Sequence, residues 1–161
     1  MNGIRATWMQ KAGAAARIFL GALFLYMGAT KALHPEAFLK LVRQYELTDN
    51  HLVLNTIAAT LPWFEMYCGL LLICGVAVRG ASLILALILM AFTAAIWQRG
   101  LHLEAVRGIP FCAVKFDCGC GNGEVMVCHK ITENLGLILL SLWLFAGQGR
   151  LWAVKYSLGR A

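Results

Sequence analysis

Apolar residues along this chain gather into four long stretches, at about 14–33, 56–78, 81–98 and 131–150. A helix that crosses a hydrocarbon layer ~30 Å thick needs about 20 mostly apolar residues, and each stretch is near that length. Barrel strands would instead show alternating segments of about ten residues. The pattern therefore predicts an all-α integral membrane protein, a four-transmembrane-helix bundle forming one domain over 1–161. The second stretch belongs to a longer apolar run, 52–78, which either tilts or is divided by Pro62 into a surface turn and a span. The fourth ends somewhere between 146 and 154. The first follows Arg5, Lys11 and Arg17, as a signal sequence does, but it is long, lacks a small-residue cleavage site and precedes further spans, so it reads as an uncleaved helix.

The connections differ in character. Residues 35–50 are more polar, and Phe38, Leu41, Val42 and Tyr45 follow helical spacing. They predict a short amphipathic helix lying flat on the membrane, with an ordinary loop as the alternative. Residues 78–80 make a tight turn, so spans two and three form a hairpin. Residues 99–130 form a long cysteine-rich loop between the third and fourth helices.

Composition agrees with a lipid-facing surface: 60% of residues are apolar and 14% charged, and mean hydropathy is +0.71. A soluble domain carries roughly 25% charged residues. The net charge of +6 comes from scattered Lys and Arg with no dense stripe, which argues against a nucleic acid partner. Seven basic residues fall on each side of the membrane, but Arg5, Lys11, Arg17, Arg79, Arg150, Lys155 and Arg160 occupy the shorter segments. The positive-inside rule then puts both termini in the cytoplasm and, in a bacterial inner membrane, the cysteine loop in the periplasm. Thiols can oxidise there. Trp63 and Trp97 fall at the loop-side interface, Trp8 and Trp152 at the terminal side.

Candidate chemistry lies in the loop. Cys112, Cys118, Cys120 and Cys128 crowd into 17 residues, whereas Cys68 and Cys74 lie in the second span and read as buried packing residues. In Cys118-Gly119-Cys120 a disulfide would close a small strained ring, which favours exchange, and Gly119 and Gly121 permit the turn. Lys115 favours a thiolate and Asp117 opposes it. Three readings fit these sulfurs. Cys118 and Cys120 form a redox pair, with Cys112 and Cys128 as a second pair that relays electrons or staples the loop. Alternatively, all four bind a metal, although zinc and iron–sulfur spacings differ and no metal is expected. In the third, both pairs are structural disulfides. Within the spans, Glu65 and Lys31 approach one membrane face. A carboxylate in hydrocarbon costs ~2.5–3.5 kcal/mol on insertion scales, so an ion pair with Lys31 is expected, either as a helix clamp or as a proton-handling group. Tyr67 either hydrogen-bonds that group or packs at the interface. His34, His51 and His102 read as interfacial end residues. Gly21 and Gly28 allow close helix packing.

These pieces together resemble the MauE/DoxX family of small four-helix membrane proteins. The likeness runs over residues 14–147. Gly28-Ala29-Thr30-Lys31 ends the first helix, and Pro62-Trp63-Phe64-Glu65 precedes a Gly-Leu-Leu-Leu run. Gly75 and Arg79 flank the hairpin, and Phe92 lies ahead of Arg99-Gly100. The Cys-Gly-Cys string is followed by Glu133-Asn134-Leu135. The family commonly reads Cys-Gly-Cys-Phe-Gly, whereas Gly121-Asn122 follow here, and Cys112 and Cys128 are additional. The resemblance implies thiol redox or electron transfer at the membrane. MauE-like members are linked to disulfide formation in methylamine dehydrogenase maturation and DoxX-like members to quinone-coupled sulfur oxidation. It implies a quinone cofactor; taken with the residues read above, the catalytic candidates are Cys118, Cys120, Cys112, Cys128 and Glu65, and the expected partner is a periplasmic thiol protein or sulfur compound. A non-catalytic assembly factor for a partner enzyme and a metal-binding membrane protein are the alternatives.

Overall fold

The computed structural model describes residues 2–45, 50–117, 124–147 and 151–154, with the side chains of 2–7 and 117 set aside. Five helices carry the chain: α1 (Asn2–Leu33), α2 (Pro35–Gln44), α3 (His51–Cys74), α4 (Val78–Arg107) and α5 (Val127–Phe145). A 3-10 turn at Phe111–Ala113 leads into β1 (Lys115–Asp117), which pairs antiparallel with β2 (Glu124–Met126), Phe116 opposite Val125.

Helices α1, α3, α4 and α5 are long and apolar enough to cross a membrane, yet only 33–39% of each most apolar window is buried inside the protein. Phe19, Leu70, Leu87 and Leu139 point outward. Water would penalise such a surface at about 25 cal/mol per Å² of apolar area, and hydrocarbon removes the penalty. The chain is a multi-pass membrane protein. Trp8, Trp63, Trp97 and Trp152 are each more than half exposed, consistent with anchoring at membrane interfaces.

α1 packs chiefly on α3 and α4 on α5. α1 and α3 approach closely at two glycines. A Cβ on Gly21 would lie 2.7 Å from the Gly69 carbonyl oxygen, and one on Gly69 would lie 2.7 Å from that of Gly21. Gly28 approaches the Pro62 carbonyl in the same way. Pro62 does not divide the second span, because α3 runs through it from His51 to Cys74. The proline removes one backbone donor, but such losses are tolerated in membrane helices packed against neighbours, and Pro62 is buried against α1. Asn50 caps the start of α3, its Oδ1 accepting from the Leu52 and Val53 amides at 3.0 and 3.4 Å.

Other boundaries also depart from expectation. The turn between spans two and three is at Gly75–Ala77, not 78–80. Gly75 takes a left-handed φ of 71° and closes α3 by donating to Leu71 and Leu72. α4 continues past 98 to Arg107 because Ile96, Gly100 and Leu103 form a buried stripe under the cap; it ends at Gly108, also left-handed. α5 stops at Phe145, whose carbonyl accepts from Arg79 Nε at 3.0 Å. Residues 151–154 fold back instead of extending the helix, and the Arg17 guanidinium, 1% exposed, donates to the Leu151 and Trp152 carbonyls. Arg17 is thus a buried tie, not a flanking surface charge.

The segment at 35–50 does form a helix, α2, but its apolar face turns into the protein. Phe38 and Val42 pack with Leu54 and Ala58 of α3, and Leu41 and Tyr45 pack with Ala95, Ile96 and Leu103 of α4. Apolar residues of α3 and α4 thus cover the face that was expected to meet lipid.

Candidate functional site

Above the bundle sits a small cap. Cys112 in the 3-10 turn and Cys128 in the first turn of α5 are joined by a disulfide, Cα to Cα 4.9 Å. Beside it Val114 and Val127 are fully buried, and the Val127 amide donates to the Val114 carbonyl at 3.1 Å. The staple therefore closes the base of the β1–β2 hairpin. Cys112 is exposed and Cys128 half-buried, so a dissolved thiol can reach the bond. The edge-on contact of Tyr45 with Phe116, 6.4 Å between centroids, ties the hairpin to α2. Cys118 and Cys120 lie outside the described residues, in the connection 118–123 between the two strands.

As a disulfide, Cys112 and Cys128 carry no thiolate, so this state cannot supply the four-thiolate metal site considered above. Closing a loop of 16 residues by a disulfide is worth about 3 kcal/mol. Replacing both cysteines by Ser is expected to remove about that much from the cap. Faster amide exchange at residues 114–117 and 124–128, with the spans still protected, is the measurement that checks it.

Below the cap is a buried charge pair. Lys31 Nζ donates to both Glu65 oxygens, at 2.6 and 2.8 Å, with side chains 4% and 1% exposed. The ammonium lies between the Phe38 and Phe92 rings, 5.3 and 5.0 Å from their centroids. An adjoining cavity of about 20 Å³ is also lined by Lys130 and Asn134 from α5, room for about one water. Lys130 reaches Glu133 at 3.1 Å, and Asn134 donates to Thr93 Oγ1 at 3.2 Å. Sequence reasoning missed Lys130, Asn134 and the two Phe rings. A signal existed: Lys130, Asn134 and Ser141 are polar residues on one face of an apolar helix, and all three are buried. Tyr67 does not join the pair. It is 61% exposed, two residues from Glu65 and so turned to another face. Cys68 is buried as expected, whereas Cys74 is exposed because it sits at the end of α3. His34, His51 and His102 are exposed.

Fold and site together define a class: a four-span helical membrane protein whose cap is a disulfide-stapled hairpin bracketing a Cys-Gly-Cys string. The family model described as methylamine utilisation protein MauE matches residues 9–147, and the chain belongs to that family. The match is to MauE and does not bear on DoxX. No curated protein and no solved structure matches the chain.

Proposed function

We propose that the protein exchanges disulfides with a thiol protein or sulfur compound on the oxidising face of a bacterial inner membrane, through Cys118 and Cys120. The observation that carries this reading is the stapled base of the hairpin: Cys112–Cys128 joins the two ends of the segment whose sequence carries the Cys-Gly-Cys string, between β1 and β2. In the exchange a partner thiolate attacks one sulfur of an oxidised Cys118–Cys120 pair and forms a mixed disulfide. The partner's second thiolate then breaks that bond. The partner leaves as a disulfide, two electrons pass to the pair, and two protons pass from the partner's thiols to Cys118 and Cys120. The same chemistry between Cys118–Cys120 and Cys112–Cys128 passes the electron pair on to Cys112 and Cys128. Each step is reversible and balances by itself.

The family resemblance also implies a quinone. A quinone ring needs room and donors for two carbonyls. The cavity at Lys31 and Glu65 has donors but only about 20 Å³. A cleft between α2, α3 and α4 has about 190 Å³, but Tyr45 is its one hydrogen-bonding side chain. Neither of these two cavities meets both requirements; room and donors come together in the groove of about 310 Å³ lined by Gln44, Tyr45, Arg99, Arg107 and Lys115, and no step above uses a quinone. Glu65, with both oxygens held by Lys31, serves as a clamp joining α1 to α3 beneath the cap.

Purified protein supplied with oxidised glutathione as terminal disulfide oxidant is expected to oxidise a dithiol protein with turnover, read by mass mapping of free and joined cysteines. Cys118→Ser and Cys120→Ser should each abolish turnover while the helical circular dichroism is retained, and one of them should trap the mixed disulfide. Undiminished exchange in both variants would rule the reading out. Partner binding without turnover in the wild type would replace it with the assembly-factor role.

A further inference from the structure

The two sulfurs of the staple are kept in place by contacts other than the bond between them. Cys112 lies between two anchors. On one side Phe111 rests on α4, its ring tilted 55° to that of Trp97 with 5.1 Å between centroids. Gly100, three residues on from Trp97 and so on the same face of α4, is the floor of this seat. A Cβ on Gly100 would lie 2.6 Å from Phe111 Cε2 and 3.1 Å from its Cζ. On the other side Val114 is fully buried, and its carbonyl accepts from the Val127 amide at 3.1 Å. Val127 opens α5 directly before Cys128, and its Cγ1 lies 3.1 Å from the same Cβ position on Gly100. One patch of α4 therefore fixes both halves of the staple, Cys112 through Phe111 and Cys128 through Val127.

We infer that Phe111, seated on Gly100, is a positioning residue for Cys112 and Cys128: it holds the two thiols side by side after their bond opens, so that the pair re-forms within the chain. Its use in turnover rests on the thiol exchange proposed above. Phe111 adjoins Cys112 in the chain, so a shift of the ring is passed to the sulfur through one peptide unit. A thiol fixed opposite its partner has a high effective concentration there, and a thiol on a loose turn has a low one. With glutathione as the outside couple the cycle balances. A glutathione thiolate attacks Cys112 Sγ, since Cys112 is exposed and Cys128 only half-buried, and Cys128 leaves as the thiolate. A second glutathione removes the first as glutathione disulfide. Re-formation runs the other way: the electron pair returns to glutathione disulfide, and the thiol protons of Cys112 and Cys128 go to the two glutathiones released.

The test uses the full chain in detergent with Cys118→Ser and Cys120→Ser in every sample, so that it does not depend on exchange at those two sulfurs. Samples are equilibrated with reduced and oxidised glutathione at set ratios, and joined, free and glutathione-bound Cys112 and Cys128 are counted by mass mapping. The equilibrium constant has units of concentration and reads how well the fold holds the thiols together. Phe111→Ala is expected to lower it about two- to tenfold, the worth of an aromatic pair, with more glutathione left on Cys112. Tenfold is about 30 mV for this two-electron couple. Phe111→Leu, the milder change, should fall between. Gly100→Ala should lower the constant as well, by lifting the ring, although alanine favours the α4 helix itself. Constants that stay equal or rise, with unfolding midpoints lowered alike in the joined and free forms, would leave Phe111 a packing residue and overturn the inference. So would a wild-type bond that stays joined at every ratio. Lowered constants together with failed turnover through Cys118 and Cys120 would keep the positioning and remove only the reading above.

Discussion

Glu65→Leu is expected to destabilise the protein by about 3–5 kcal/mol, because it leaves the Lys31 ammonium buried without its counter-charge. Lys31→Met should cost a similar amount by stranding the carboxylate. Removing both, Lys31→Met with Glu65→Leu, should recover most of the loss, since a well-packed apolar pair often matches a buried ion pair in stability. The Phe38 and Phe92 rings already form an apolar sleeve around the ammonium, so the methionine has a surface to pack on. Unfolding in detergent of the four proteins gives the coupling energy. If the two single losses simply add in the double variant, the pair is not a coupled clamp. A double variant that folds well but loses thiol exchange would instead return Glu65 to a proton-handling role.

The second large effect is expected at the α1–α3 crossing. Gly69→Leu puts a side chain where even a Cβ would lie 2.7 Å from the Gly21 carbonyl oxygen and 2.9 Å from the Leu25 amide nitrogen. Both obstacles are backbone, so no rotamer change relieves the clash and the helices must separate. Overpacking a well-filled site typically costs 1–3 kcal/mol, and the rigid obstacle puts this change at about 3 kcal/mol or above. Gly80→Ala is the control. A Cβ there meets nothing within 4 Å, and the replacement should gain up to about 1 kcal/mol from helix propensity. Unfolding midpoints of the two variants on either side of the wild type are the expected result. Similar midpoints would show that the crossing is not tightly packed.

The spans were legible because each is a long apolar run, and lipid imposes a length requirement that soluble packing does not. Their ends were less legible. Pro62 looked like a divider, but α3 runs through it packed against Gly28 of α1, and one sequence read alone does not show that neighbour. α4 outran its apolar stretch because Leu103 and Gly100 find partners in the cap, a contact set by tertiary packing. The direction in which α2 turns its apolar face was hidden for the same reason, since spacing gives the face and not what covers it. In the site, Glu65 and Lys31 stood out as charges within apolar runs. Lys130 and Asn134 did not, because their shared face becomes visible only once α5 is known to begin at Val127.

The staple has a consequence for how the chain is made. Both of its sulfurs belong to residues 112–128, so the bond crosses no span and the four helices have no need of it to insert or to find one another. Biogenesis therefore divides into two events: lateral assembly within the bilayer, which needs no oxidant, and a later covalent finishing of the arm in whichever compartment receives it. The arm is thereby complete only on copies whose loop has met an oxidising environment.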